Sequence, residues 1–222
     1  MARPRRQGGP RYSKSDVREV DIHTRNLDLP SDASILSSDE RDRAARFRFD
    51  RHRNHYIAAR SALRQILAEY LGIAPQSIEF TVNEYGKPQL DGPHFNVSHS
   101  AGLAVYAVSR TRQVGIDVER VDPQFAAGQI PEHFFSPVEV ASLRALPEHL
   151  QLQAFFNCWT RKEAYVKARG LGLSLPLASF DVTLDPGEPA RFLRGADGWE
   201  IEAFSPAAGY AAAVVASLPS IV

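Results

Sequence analysis

Four segments of this 222-residue chain recur in the same order at a spacing near 100 residues, and no other feature restricts its fold as strongly. "LSSDERDRAARF" and "FFSPVEVASLRAL" both read Ser-x-x-Glu, Ser37 to Glu40 and Ser136 to Glu139, the capping-box opening of a helix. The helical segments that follow close in "EYLGI" (69–73) and "RGLGL" (169–173), where Gly72 and Gly172 are predicted to supply left-handed C-caps. "IEFTVNEYGKPQL" (78–90) and "SFDVTLDPGEPARF" (179–192) each read as strand, Gly-x-Pro turn and strand. "AGLAVYAVS" (101–109) and "AGYAAAVVAS" (208–217) are matching strands of small apolar residues. The chain is therefore predicted to be α+β, with two similar halves forming a pseudo-dimer, each a long helix packed on an antiparallel sheet. The halves are 20–112 and 113–222, joined near 111–114, after a disordered basic tail over 1–19. A cleft between similar halves is a favoured ligand site, so residues flanking the join are the first candidates.

At that join lies "VGIDVER" (114–120). Strand side chains alternate, so Asp117 and Glu119 share one face while Ile116 and Val118 occupy the other. Two carboxylates so close require a cation or raised pKa values. The helix "FFNCWTRKEAYVKARG" places Glu163 and Lys167 four residues apart on one face; the pair reads either as a solvated helix pair or as the rim of a pocket. If Glu163 meets Asp117 and Glu119, three hard oxygen donors converge, a set suited to magnesium completed by water and phosphate.

Phosphate also calls for bases. Arg46, Arg53 and Arg60 recur every seven residues along the first long helix, and Arg60 lies where that helix turns apolar. "EYGKP" presents Lys87 and Pro88 at a turn, and "FNVSHS" places Ser98 and His99 before a glycine-containing strand. His99 reads as a core histidine, a metal ligand or a phosphate partner. A Ser-His hydrolase is a poor reading, given the missing G-x-S-x-G elbow and neighbouring strand side chains that point apart.

Charge and composition narrow the class further. Lys plus Arg and Asp plus Glu each number 26, so there is no basic excess of the kind a general nucleic-acid binder shows. No apolar run approaches the roughly 20 residues that span a bilayer, and the basic N-terminal "MARPRRQGGPRYSKS" lacks the apolar core of a secretory signal. Cys158 is the one cysteine, which rules out an internal disulfide and suits a reducing cytoplasmic location.

Together, "EYGKP", "FNVSHS", "VGIDVER" and "WTRKEAYVKARGLGL" resemble the ordered signature of 4′-phosphopantetheinyl transferases, specifically the monomeric surfactin-synthetase-activating type, over about residues 20 to 215. The resemblance implies a pseudo-dimeric monomer with coenzyme A as substrate in its cleft. The phosphopantetheine arm would pass to a serine of an acyl or peptidyl carrier protein, releasing adenosine 3′,5′-bisphosphate. It further implies magnesium held by Asp117, Glu119 and Glu163, with Glu163, Lys167 and Asp117 catalytic. Coenzyme A would be bound by Arg60, Lys87, Pro88, Ser98, His99 and Lys167, and the carrier would dock on the segment 121–135, which offers Phe125, Ile130 and Phe134. Two rivals use the same residues: another magnesium-dependent nucleotide phosphotransferase or hydrolase, and a coenzyme A-binding regulator without turnover. A structural interaction protein leaves the apolar setting of Asp117 unexplained.

Overall fold

The computed structural model describes residues 11–14, 17, 19–126 and 128–219. Its elements follow the repeat. The first half runs β2 (Asp21–Asn26), α1 (Ser38–Ala45), α2 (Asp50–Leu71), the short hairpin β3 (Thr81–Val82) and β4 (Pro88–Gln89), then β5 (His94–Ser100) and β6 (Leu103–Ser109). After β7 (Val114–Arg120), the second half inserts two short helices, α3 (Pro123–Ala126) and α4 (Ile130–Phe134). It then repeats the series as α5 (Pro137–Ala145), α6 (Glu148–Arg169), the hairpin β8 (Asp181–Val182) and β9 (Phe192–Arg194), β10 (Trp199–Phe204) and β11 (Tyr210–Ser217). The sheets share one topology. β2 pairs with β6 and β6 with β5, as β7 pairs with β11 and β11 with β10, all antiparallel.

Alternation along the strands builds four layers. Ala104, Tyr106 and Val108 of β6 pack with Ala62, Ile66 and Leu67 of α2, while Val105 and Ala107 face Ile116 and Val118 of β7 and Val214 of β11. On the far side, Ala211, Ala213 and Val215 of β11 meet Phe155, Ala164 and Ala168 of α6. Each sheet thus has one face under its own long helix and the other against the second sheet, an arrangement that keeps both faces dry. Asp117 and Glu119 alternate with Ile116 and Val118, so they project from the face of β7 that α6 covers.

Each half also carries the same buried polar hub. The capping-box glutamates Glu40 and Glu139 return to the backbone nitrogens of Ser37 (3.0 Å) and Ser136 (2.9 Å). Glu40 then pairs with Arg64 (2.6 Å) and Glu139 with Lys162 (2.7 Å); each cation is the fifteenth residue of its 22-residue helix. Each also donates to two carbonyls of the loop beyond the helix, Pro75 and Ile78 for Arg64, Leu177 and Phe180 for Lys162. All four side chains are buried, and a buried charge is tolerable only when paired and bonded in this way.

Three expectations change. The capping boxes open the short helices α1 and α5, and the chain breaks at Arg46–Phe49 and at Leu146–Pro147 before the long helices begin. Gly72 caps α2 at φ +70°, but α6 is capped by Gly170 at φ +66°; Gly172 lies two residues beyond, at the start of a 3₁₀ turn. The tail expected to be disordered over 1–19 contributes a strand, β1 (Arg11–Lys14), paired antiparallel to β2, and Val17 is buried in the core between the sheets. Residues 1–10 of that expectation lie outside the described residues.

Candidate active site

β7 and α6 approach so closely that Gly115, two residues before Asp117, has no room for a side chain. A Cβ there would lie 2.2 Å from the carbonyl oxygen of Ala164 and 2.2 Å from the backbone nitrogen of Ala168. This contact sets the acid strand directly against the helix bearing Glu163 and Lys167. Lys167 Nζ donates to Asp117 Oδ1 (2.5 Å) and to Ser98 Oγ (3.0 Å), and Ser98 Oγ donates to the same Oδ1 (2.8 Å). Asp117 is 2% exposed, and its other oxygen, Oδ2, is buried without a hydrogen-bond partner.

The neighbouring β5 supplies a polar seam from alternate positions on one face. Asn96 Oδ1 accepts from the Ile116 amide (2.9 Å), and Ser100 Oγ donates to Glu119 Oε2 (2.8 Å) while accepting from the Arg120 amide (3.2 Å). Glu119 and Glu163 are half-buried. Burial, then the charge of Asp117, pushes both carboxyls above their ordinary range, so the three acids feel one another across a small volume. The structure therefore brings together Asp117, Glu119, Glu163, Lys167 and Ser98. Among the described residues no three acid, histidine or cysteine side chains stand at ready metal-binding positions; the Lys167 ammonium holds Asp117 instead.

The remaining expected residues divide. His99 is exposed, which removes the core role; partial desolvation and then the nearby Lys167 and His55 lower its pKa, so the three side chains are neighbours. Pro88 lines a groove of about 450 Å³ between the halves, together with His94, Gln113 and Arg169. Arg60 and Lys87 have partners within the protein. The Arg60 guanidinium pairs with Glu40 and stacks 4.1 Å above Phe80, so it belongs to the first half's hub. The Lys87 ammonium is turned inward onto backbone carbonyls.

Sequence reasoning missed His55, five residues before Arg60. It contacts Asp28 (2.7 Å) and, with Arg51 and Asn54, lines a groove of about 640 Å³. The signal available was the crowding of Arg51, His52, Arg53 and His55 in the first turns of α2, although the spacing alone did not show which of them faces β5.

Comparison with known proteins adds an independent line. The family model "4′-phosphopantetheinyl transferase superfamily" matches residues 113–215, and "4′-phosphopantetheinyl transferase, N-terminal" matches residues 25–111. The 4′-phosphopantetheinyl transferase HetI of Nostoc sp. is 41% identical over 194 residues, covering 82% of this chain and 81% of that protein. The chain belongs to the 4′-phosphopantetheinyl transferase superfamily. Among the transferases similar to it are one from Bacillus subtilis, 36% identical over 154 residues, and Sfp of Bacillus subtilis strain 168, 32% identical over 154 residues. Each alignment covers 68% of this chain and 67% of the relative. The protein is a transferase of this kind. Among its described residues no helix is long and apolar enough to cross a membrane.

Proposed function

We propose that this phosphopantetheinyl transferase moves the phosphopantetheine arm of coenzyme A to a serine hydroxyl of a carrier protein, with residues 20–112 and 113–222 as the two units of a monomeric pseudo-dimer. The observation that carries the proposal is the buried, unpartnered Asp117 Oδ2 beside two carboxyls held above their ordinary range. A buried acceptor without a partner is costly, and hard oxygens from three acids fit a divalent ion such as magnesium. Asp117, Glu119 and Glu163 would hold it, and when bound it would supply charge neutralisation for the pyrophosphate.

The chain's own groups account for the rest. The serine Oγ attacks the phosphorus next to the pantetheine, the bond from that phosphorus to the bridging oxygen breaks, and adenosine 3′,5′-bisphosphate leaves. Glu163, directly or through a bound water, takes the serine proton. Lys167 and His99, with His55 beyond them, run from the acids to the groove beside Arg51, an ammonium and two imidazoles whose N–H groups suit phosphate oxygens. Positioning and charge neutralisation are what phosphoryl transfer chiefly requires.

The carrier would dock on the segment 121–135. Phe125 is 42% exposed yet rests on Phe155, Phe156 and Trp159, while Phe134 stands edge-on to Trp159, one helical turn before Glu163. Ile130 packs inward against the second half's core. Incubation with coenzyme A, magnesium and an apo carrier protein, followed by intact mass measurement of the carrier, tests the proposal. The expected gain is one phosphopantetheine per carrier. An unmodified carrier with intact coenzyme A would favour a regulator, and coenzyme A hydrolysis without carrier modification would favour a hydrolase.

A further inference from the structure

The turn between β3 and β4 reaches from the first half into the second. Asn83 shapes it, its Oδ1 accepting from the amides of Tyr85 (3.0 Å) and Lys87 (2.8 Å) around Gly86 at φ +82°. The other end of the same side chain, Nδ2, donates to the carbonyl of Gly170, the cap of α6 (3.0 Å). Lys87 Nζ then donates to three carbonyls: Lys167 (2.7 Å), Val114 (3.1 Å) and Ala168 (3.3 Å). Val114 opens β7, three residues before Asp117; Lys167 and Ala168 close α6, one turn after Glu163.

One ammonium therefore ties together the two elements that carry all the acids. The last carbonyls of a helix lack partners within it and form its negative end, so a cation there is favoured without any carboxylate. The contact lies beside Gly115, where a Cβ would meet the backbone of Ala168, one of the residues that Lys87 holds. Nothing in this geometry requires Lys87 to touch substrate.

We infer that Lys87 is a positioning residue for transfer, fixing β7 against α6 so that Asp117 and Glu119 are held at the spacing from Glu163 and Lys167 that the reaction needs. This rests on the acid cluster being the transfer site, and it replaces a direct contact between Lys87 and a coenzyme A phosphate. The full chain serves for the test, with the variants Lys87→Met, Lys87→Arg and Asn83→Ala. The measurements are Mn²⁺ affinity without coenzyme A, affinity for coenzyme A and for dephospho-coenzyme A, kcat and KM, and a melting curve.

Lys87→Met should lower kcat at least about tenfold, the scale of one charge-assisted hydrogen bond, and weaken Mn²⁺ binding. Its coenzyme A to dephospho-coenzyme A affinity ratio should stay that of the wild type. Lys87→Arg, which keeps a donor at the carbonyls, should recover part of the rate, and Asn83→Ala should move both quantities in the same direction by less. If Lys87→Met does not fold, the other two variants carry the decision. A loss seen with coenzyme A but absent with dephospho-coenzyme A would overturn the inference in favour of a phosphate contact. Unchanged kcat and Mn²⁺ affinity in a folded variant would overturn it with the site itself intact. A wild type that neither binds Mn²⁺ nor transfers would overturn both the site and the inference.

Discussion

Replacing Gly115 by alanine adds one methyl group at the most crowded glycine among the described residues. The new Cβ would lie 2.2 Å from Ala164 O, 2.2 Å from Ala168 N and 2.7 Å from Ala168 Cα, all backbone atoms that no rotamer change can move aside. Ordinary contact begins near 3.4 Å, so β7 and α6 must separate by about 1 Å. Overpacking of this kind costs about 1–3 kcal/mol, offset by up to about 1 kcal/mol because alanine restricts the unfolded chain more than glycine does. The net loss in stability should be about 1–2 kcal/mol, visible in urea unfolding. The chemical consequence should be larger. A displacement of about 1 Å between groups that act together can lower a rate about a hundredfold, and here it separates Asp117 and Glu119 from Glu163 and Lys167. Steady-state transfer to a carrier protein, measured at temperatures where the variant is fully folded, separates the two effects. A folded Gly115→Ala that transfers within about threefold of wild type would refute the claim that this contact sets the site's geometry.

Sequence alone suggests that removing Asp117 relieves repulsion and leaves the metal-free fold unchanged or firmer. The structure reverses the sign, because Asp117 Oδ1 holds Lys167 and Ser98, so Asp117→Ala should abolish transfer and also lower metal-free stability. The loss should be about 1–2 kcal/mol by urea unfolding, kept small because Lys167 is 30% exposed and can reach water; a higher melting temperature would count against the ion pair. Lys162→Met leaves Glu139 buried without its ammonium and should cost about 3–5 kcal/mol, whereas a variant that unfolds at the wild-type urea concentration would contradict the hub. Magnesium should raise the melting temperature by an amount that grows as pH rises from about 4.5 toward neutrality. The metal-free protein holds protons on Glu119 and Glu163 above the ordinary 4.5, so their contribution to its stability is present below 4.5 and lost as pH rises through the raised values. Metal binding gains over that same window as the carboxyls ionise, and a magnesium increment independent of pH would argue against these ligands.

The repeat made the fold legible because helix openings, glycine caps and alternating strands are local signals, each readable within a few residues. What could not be read was where long side chains end. Arg60 and Lys87 both stand where a phosphate contact is chemically sensible, and both point to partners far away in sequence, Glu40 for one and the end of α6 for the other. The Gly172 cap failed for a related reason: two glycines two residues apart offer the same conformational freedom, and the length of α6, set by its packing, selects Gly170. The tail was read as disordered from its composition, yet pairing with β2 gives Arg11–Lys14 the backbone partners that composition cannot supply.

Superposing the halves by their pairing separates scaffold from function. Asp117 pairs with Ala213 and His23 with Tyr106, so Asp117 corresponds to His23 and, two residues on, Glu119 to Arg25. Counting along the two 22-residue helices matches Glu163 with Gln65 and Lys167 with Glu69. Where both halves keep the same device, Glu40–Arg64 and Glu139–Lys162, the residues hold the fold together. Where the halves differ in charge, the acids Asp117, Glu119 and Glu163 of the second stand opposite His23, Arg25 and Gln65 of the first, and Lys167 opposite Glu69. The criterion fails at Arg60, which differs from its counterpart Cys158 yet serves the scaffold. In the first half Glu40 takes two arginines; in the second Glu139 takes one lysine and the amide of Val182, so the same acid is satisfied by different partners. A difference between the halves is therefore a pointer rather than a proof: Asp117 Oδ2 is left buried without a partner, as is Nε of Arg25, the counterpart of Glu119, while Arg60 is fully engaged.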